Sequence, residues 1–309
     1  MNLYRRRTLK RLSVIGAGIA ATTLPIVKIH AQEKTLMRKI PKTGEALPAV
    51  GLGSWQSFDI GNNDAGELAK AKEVLRKFVE LGGKVIDSSP MYGASESVIG
   101  ELAAQLNIHK QLFVATKVWT SGREAGVKQM QESMKKLKVE KMDLMQVHNL
   151  LDTDAHLATL RDWKKDGRVR YLGITHYNEG GHSALEKIIK TGAVDFVQVN
   201  YSIAEREAED RLLQAAADNS VAVLINRPFA KASLFSKVRG KNIPDWASEF
   251  DCQTWAQFFL KYILGHPAVT CVIPATRNVK HLEDNMGAMS GRLTDAKMRV
   301  RMIEYMEKL

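Results

Sequence analysis

From residue 50 onward the chain alternates between short apolar runs and longer stretches in which apolar positions recur every three to four residues. The runs are Val50–Gly53, Lys84–Asp87, Leu112–Lys117, Met142–His148, Val169–Thr175, Phe196–Tyr201, Ala222–Asn226 and Val269–Pro274. Their lengths suit buried strands. Between them, spacings such as Leu68, Ala71, Leu75 and Phe78, or Met130, Met134 and Leu137, predict amphipathic helices. Gly82-Gly83 closes the first of these helices. Apolar strands alternating with amphipathic helices predict a parallel sheet. Eight such units in about 250 residues predict an α/β fold of the (β/α)8 TIM-barrel type, with an open doubly wound sheet as the alternative. Ahead of the repeats, Thr35–Ile40 and Ala46–Val50 flank a turn-rich stretch and predict an N-terminal β-hairpin. Met298–Met306 predicts an extra C-terminal helix. No low-complexity linker divides residues 34–309, which read as one domain. The longest irregular stretch, Arg227–Glu249, predicts a loop over the barrel mouth.

Four polar residues sit where strand C-termini would converge. Asp87, Lys117 and His148 each close an apolar run, and Tyr92 follows Asp87 after four residues. In a barrel of this kind the site lies at that end of the strands. Singly, each has a plain structural explanation; together, on consecutive strands, they form an acid, an ammonium, an imidazole and a phenol in one pocket. That set suits proton delivery to a carbonyl. A phenol is a weak acid with a pKa near 10, and a neighbouring ammonium is expected to pull it down. Asp87 would hold Lys117, His148 would hydrogen-bond the carbonyl oxygen, and Tyr92 would protonate it. No side chain supplies a hydride, so a cofactor is implied.

Charge changes the picture only at the N-terminus. The net charge is +11, but Arg5, Arg6, Arg7, Lys10, Arg11 and Lys28 precede Gln32 with no acid among them, and 11 less these 6 leaves +5. With no basic stripe interleaved with aromatics, nucleic acid is not an expected partner. Residues 1–31 instead read as an export signal: a basic start, an apolar stretch from Leu12 to Val27 and a passable cleavage site at Ile29-His30-Ala31. Arg5-Arg6-Arg7-Thr8-Leu9-Lys10 resembles the twin-arginine motif. The expected partner is therefore the twin-arginine export machinery, and the expected location is the bacterial periplasm, reached after folding. The apolar stretch is short for a membrane span and is broken by Lys28, so no stable span is expected, with an uncleaved membrane anchor as the alternative. Gly16-Ala17-Gly18-Ile19-Ala20-Ala21 mimics a dinucleotide-binding turn, yet the basic run before it is no strand. Cys252 and Cys271 are the only cysteines; an exported protein could join them, though Cys271 lies in an apolar run that suits a free thiol. No cluster has metal-ligand spacing, so no metal is expected.

Several stretches together resemble the aldo-keto reductase family. They are Gly51-Leu52-Gly53-Ser54-Trp55, Val85-Ile86-Asp87-Ser88-Ser89-Pro90-Met91-Tyr92-Gly93, Ala115-Thr116-Lys117-Val118-Trp119, Gln146-Val147-His148, Gln198-Val199-Asn200-Tyr201 and Val272-Ile273-Pro274-Ala275-Thr276. The resemblance covers nearly all of the chain after residue 34. It implies a (β/α)8 barrel closed at the bottom by a hairpin, carbonyl reduction, and NADP(H) bound without a Rossmann domain, with NAD(H) as the alternative. It assigns Ser54 and Trp55 to the cofactor wall, and Thr175, His176 and Gln198 to the nicotinamide amide. Tyr201 is assigned to stacking on the nicotinamide ring and Arg227 to the pyrophosphate. Thr276, Arg277, Asp284 and Asn285 fall at the adenosine phosphate and adenine, and Trp55 and Trp119 at the substrate pocket. Departures from family patterns are Thr175-His176, Asn226-Arg227-Pro228-Phe229, Ala275 and His281. The last two weaken a 2′-phosphate clamp, which Arg277 could restore because guanidinium suits phosphate. A nucleotide-binding sensor or partner subunit with little turnover is the alternative function.

Overall fold

The computed structural model describes residues 35–61 and 63–309. The expected export signal at residues 1–31, with its glycine pattern, lies outside the described residues. The hairpin pairs β1 (Met37–Lys39) with β2 (Ala46–Pro48) in antiparallel register, Met37 opposite Pro48. Eight parallel strands follow: β3 (Leu52–Gly53), β4 (Val85–Asp87), β5 (Phe113–Val118), β6 (Met142–His148), β7 (Val169–Thr175), β8 (Phe196–Asn200), β9 (Ala222–Asn226) and β10 (Val269–Val272). Each pairs with its sequence neighbour, and bridges Val50–Val272 and Gly53–Ala275 join the first strand to the last. The sheet is thus a closed (β/α)8 barrel, as the alternation predicts, and not an open doubly wound sheet.

Closure is tight where β3 meets its neighbours. A Cβ at Gly51 would meet the Val85 carbonyl at 2.8 Å, and one at Gly53 the Ile273 carbonyl at 2.8 Å. Both are closer than side-chain carbons approach backbone oxygen, which explains glycine at both positions.

Helices α1 (Ala65–Glu80), α2 (Ser95–Leu106), α3 (Arg123–Leu137), α4 (Thr153–Lys165), α5 (His182–Lys190) and α6 (Leu212–Asp218) alternate with the strands. The expected mouth loop carries a short helix, α7 (Ser233–Lys237), and runs into a 3₁₀ turn at Asp245–Phe250. After it come α8 (Trp255–Leu264), α9 (Val279–Gly287) and the extra terminal helix α10 (Ala296–Glu307). Asp64 caps α1 by accepting the Glu67 N–H at 3.0 Å.

The core has two parts, divided by the period-two alternation of the strands. Val85, Phe113, Leu144, Tyr171, Phe196, Leu224 and Cys271 fill the barrel interior, joined by Ile40 and Leu47 of the hairpin region. Their sequence neighbours, such as Ile86, Val114, Met145, Val197 and Val223, face the helices in the larger outer core. Continuing the inner parity upward gives Asp87, Lys117, Gln146, His148, Thr175, Gln198 and Asn226. The interior therefore turns from apolar to polar at its C-terminal end. Cys252 and Cys271 are both buried free thiols. Among the described residues, no helix is long and apolar enough to cross a membrane, and no group of three His, Cys, Asp or Glu could hold a metal ion.

Candidate active site

Lys117 is fully buried, and its ammonium reaches Asp87 Oδ2 at 2.6 Å and the Ser88 carbonyl at 2.7 Å. Asp87 Oδ1 accepts from Gln146 Nε2 at 3.0 Å and Gln198 Nε2 at 2.8 Å. Each charge of this buried pair thus has hydrogen bonds beyond the pair itself, the condition under which burial of ions is tolerated. The pair lies beside Tyr92: Lys117 Nζ is 4.9 Å from the phenol ring centroid. Tyr92 is held by its own N–H donating to the Ser89 carbonyl at 3.0 Å. His148 stands edge-on to it, ring centroids 6.0 Å apart and planes at 85°, with Nδ1 3.1 Å from Ser89 Oγ. Trp119 completes the cluster 6.5 Å from the imidazole. Gln129 fixes that tryptophan's backbone, accepting its N–H at 2.6 Å and donating to its carbonyl at 3.2 Å.

The electrostatics differ from the expectation at one point. Burial pushes the Tyr92 pKa above its ordinary value; Lys117 pulls it down by charge and hydrogen bonding, while Asp87 pushes it up again. The expected lowering is not the net result, because burial outweighs the pull of the ammonium, which the charge of Asp87 also opposes. Tyr92 is therefore a neutral phenol, able to give a proton. Burial alone would lower Lys117, but Asp87 and Tyr92 outweigh it and keep the amine protonated. Burial, with the charge of Lys117 and the nearness of His176, pushes His148 down to about 2, so its ring is neutral.

Above this floor opens a cavity of about 1010 Å³. Ordinary single-ligand pockets span about 300–1,000 Å³, so the space accepts a large, extended ligand. Its walls include Ser54, Trp55, Asp87, Tyr92, Trp119 and His148, together with Thr175, Gln198, Arg227, Thr276, Asp284 and Asn285. Lys117 lies beneath the wall, not on it. Arg277 lines an adjoining groove that shares Thr276 and His281 with the cavity, and it pairs with Glu67 at 3.2 Å.

Two expected residues are placed elsewhere. Tyr201 is fully buried in the outer core; its hydroxyl bonds Glu209 and Arg299, and its ring packs on Tyr262 at 5.9 Å. The reason is parity: Gln198 points inward, and Tyr201, three residues on, falls on the opposite side of the strand line, with Val197 and Val199. Tyr201 cannot stack on a ring in the cavity. His176 is not on the wall either; its imidazole packs against Gly181 and stacks on Tyr177 at 5.4 Å, and Tyr177 is the residue that lines the cavity.

Sequence reasoning missed others. Gln146 and Asn226 share the inward parity of Leu144 and Leu224, a signal carried by the alternation of residues along β6 and β9. Asn226 bonds Gln198 Oε1 at 3.4 Å, alongside Thr175 Oγ1 at 3.3 Å. Phe229, Phe235 and Trp255 on the mouth segment and α8 carried no such signal. Three cavity-lining residues have buried polar atoms without a partner among the described residues: Asn149 Oδ1, Asn226 Oδ1 and Arg227 Nε. Buried polar groups are normally satisfied, so these mark places where a polar ligand or water completes the wall.

A family description, "Aldo/keto reductase family", matches residues 49–302. The chain belongs to the aldo/keto reductase family. Family relatives include the methylglyoxal reductase YeaE of Escherichia coli (strain K12), 24% identical over 261 residues, covering 82% of this chain and 89% of that one. The aldo-keto reductase yakc [NADP(+)] of Schizosaccharomyces pombe is 25% identical over 305 residues, covering 82% and 87%. Among solved structures, an aldo/keto reductase from Klebsiella pneumoniae in complex with NADP and acetate superposes with a TM-score of 0.73 at 22% identity. That match covers 87% of this chain and 94% of that one. At such identity the likeness bears on the fold, and it agrees with the barrel described above.

Proposed function

We propose that this chain reduces an aldehyde or ketone to an alcohol with NADP(H), Tyr92 donating the proton. The observation that carries the reading is the Asp87–Lys117 pair, 2.6 Å apart and buried, set beside a neutral phenol that faces a neutral imidazole. Family membership and the cofactors named for yakc and the Klebsiella structure support it. When bound, the nicotinamide supplies the hydride that no side chain can. The remaining work belongs to the chain. His148 and Tyr92 both offer hydrogens to the carbonyl oxygen, and Tyr92 releases its proton to it. Lys117, held by Asp87, stabilises the phenolate left behind. The exposed rings of Trp55, Trp119 and Tyr177 rim the cavity, where a bound substrate would complete the shielding of the reacting carbon from water. The cavity is large enough for an extended ligand such as a dinucleotide, and it presents one unbonded acceptor, Asn226 Oδ1, and one unbonded donor, Arg227 Nε, while the other Arg227 nitrogens bond Tyr177 and Glu205. NADPH consumption that depends on an added aldehyde or ketone tests the reading. Nucleotide binding without turnover across a broad carbonyl panel would favour the sensor alternative instead.

The preference for NADP(H) rests on Arg277. Its guanidinium is shared with Glu67, which also takes Lys70 at 2.7 Å. An acid there opposes a phosphate. Glu67→Gln is expected to tighten NADPH about two- to fivefold and to leave NADH unchanged, the scale of one exposed ion pair. Equal effects on both nucleotides in a fluorescence titration would remove the 2′-phosphate from this groove.

Export after folding is likewise a proposal, motivated by the arginines and apolar stretch of residues 1–31. Full-length protein in a bacterium is expected in the periplasmic fraction, and Arg5→Lys with Arg6→Lys and Arg7→Lys should retain it in the cytoplasm. A cytoplasmic location for the unaltered chain would end it.

A further inference from the structure

We propose that Ser89 is a positioning residue: its hydroxyl donates to His148 Nδ1 and holds the imidazole as the tautomer protonated at Nε2. Ser89 is wholly buried in the loop between β4 and α2. Its Oγ has two neighbours, the Met91 N–H at 3.3 Å and His148 Nδ1 at 3.1 Å. A serine hydroxyl gives one hydrogen and accepts two. The Met91 N–H can only donate. If Nδ1 also carried a hydrogen, both neighbours would donate to Oγ, and the serine's own proton would be buried with no acceptor among these contacts. With Nδ1 bare, every group is satisfied: Met91 N–H gives to Oγ, and Oγ–H gives to Nδ1. A neutral imidazole carries one hydrogen, so it resides on Nε2, the nitrogen left for a ligand.

This tautomer matters for a carbonyl oxygen, which only accepts. A bare Nε2 would present a lone pair to it, whereas Nε2–H presents a donor beside the phenol. The same residue also seats that phenol, since the Ser89 carbonyl takes the Tyr92 N–H at 3.0 Å. One buried serine thus sets the two donors that meet the substrate oxygen. The consequence for rate rests on the carbonyl-reduction reading; the tautomer itself does not.

Long-range ¹H–¹⁵N spectra of full-length protein labelled at histidine test the tautomer directly, with the His148 signals identified by their absence in His148→Gln. The expected result is an Nδ1 shift in the unprotonated, hydrogen-bonded range and an Nε2 shift in the protonated range. A protonated Nδ1 overturns the proposal whether or not the chain reduces any carbonyl. Ser89→Ala is expected to move the Nδ1 signal and to lower kcat/KM for a carbonyl about tenfold, the scale of one hydrogen bond, with NADPH affinity unchanged. Ser89→Thr, which restores a hydroxyl, is expected to recover both. Full kcat/KM and an unmoved Nδ1 signal in Ser89→Ala overturn the role. Should that variant fail to fold, the unaltered protein's spectrum still decides.

Discussion

Tyr92→Phe is expected to lower kcat for carbonyl reduction by about 10²–10⁴-fold, the contribution of a general acid, while NADPH binding followed by fluorescence stays as in the parent. The substitution removes one oxygen and leaves the ring that packs edge-on against His148. It leaves the Asp87–Lys117 ion pair and the amides beneath it in place and takes from Lys117 only its hydrogen bond to the phenol oxygen. The pH profile adds a second check. Burial holds the phenol pKa above its ordinary value, so Tyr92 stays protonated through the neutral range and reduction should be flat there. The reverse oxidation needs phenolate, and its rate should rise about tenfold per pH unit below that pKa. Because His148 is neutral across the same range, no second titration should intervene. Unchanged turnover in Tyr92→Phe would remove the proton-donor assignment and leave the fold untouched.

Lys117→Met is expected to abolish turnover and to destabilise the protein by about 3–5 kcal/mol, because it leaves a buried carboxylate without its cation. The paired variant Asp87→Asn with Lys117→Met separates the two effects. Asparagine keeps an oxygen for Gln146 and Gln198 and carries no charge, so thermal stability should return toward that of the parent. Turnover should not return, since no ammonium remains to steady a phenolate. Recovery of both would mean that the pair is structural only; recovery of neither would mean that Lys117 is held mainly by the Ser88 carbonyl.

Much of this was readable in the chain, and the reasons are specific. Eight apolar runs could be buried on both faces only in a parallel sheet with helices outside, and every strand bound fell within two residues of its run. Asp87, Lys117 and His148 were legible because each is a polar residue ending a run on the inward parity. Tyr201 misled because it ends a run on the outward parity; counting in twos from Phe196 would have turned it away from the cavity and found Asn226 from Ala222. His176 misled for a related reason: the chain leaves its strand at Thr175, and a loop, not a strand, decides that His176 stacks and Tyr177 is presented. The net direction of the Tyr92 pKa depends on burial set against one ammonium already matched by a carboxylate, a balance that residue types alone do not fix. The aromatic wall from Phe229 to Trp255 depends on how a long connection folds back, which local pattern does not encode.

Ile40 and Leu47, fully enclosed at the hairpin, sit in the same apolar column as Phe113 and Phe196. They act as a cork at the end of the barrel opposite the reactive groups. Proteolytic trimming that stops before Met37 spares the cork. A cut a few residues later would admit water to the column from below and disturb the chemistry at the top without touching any residue that performs it.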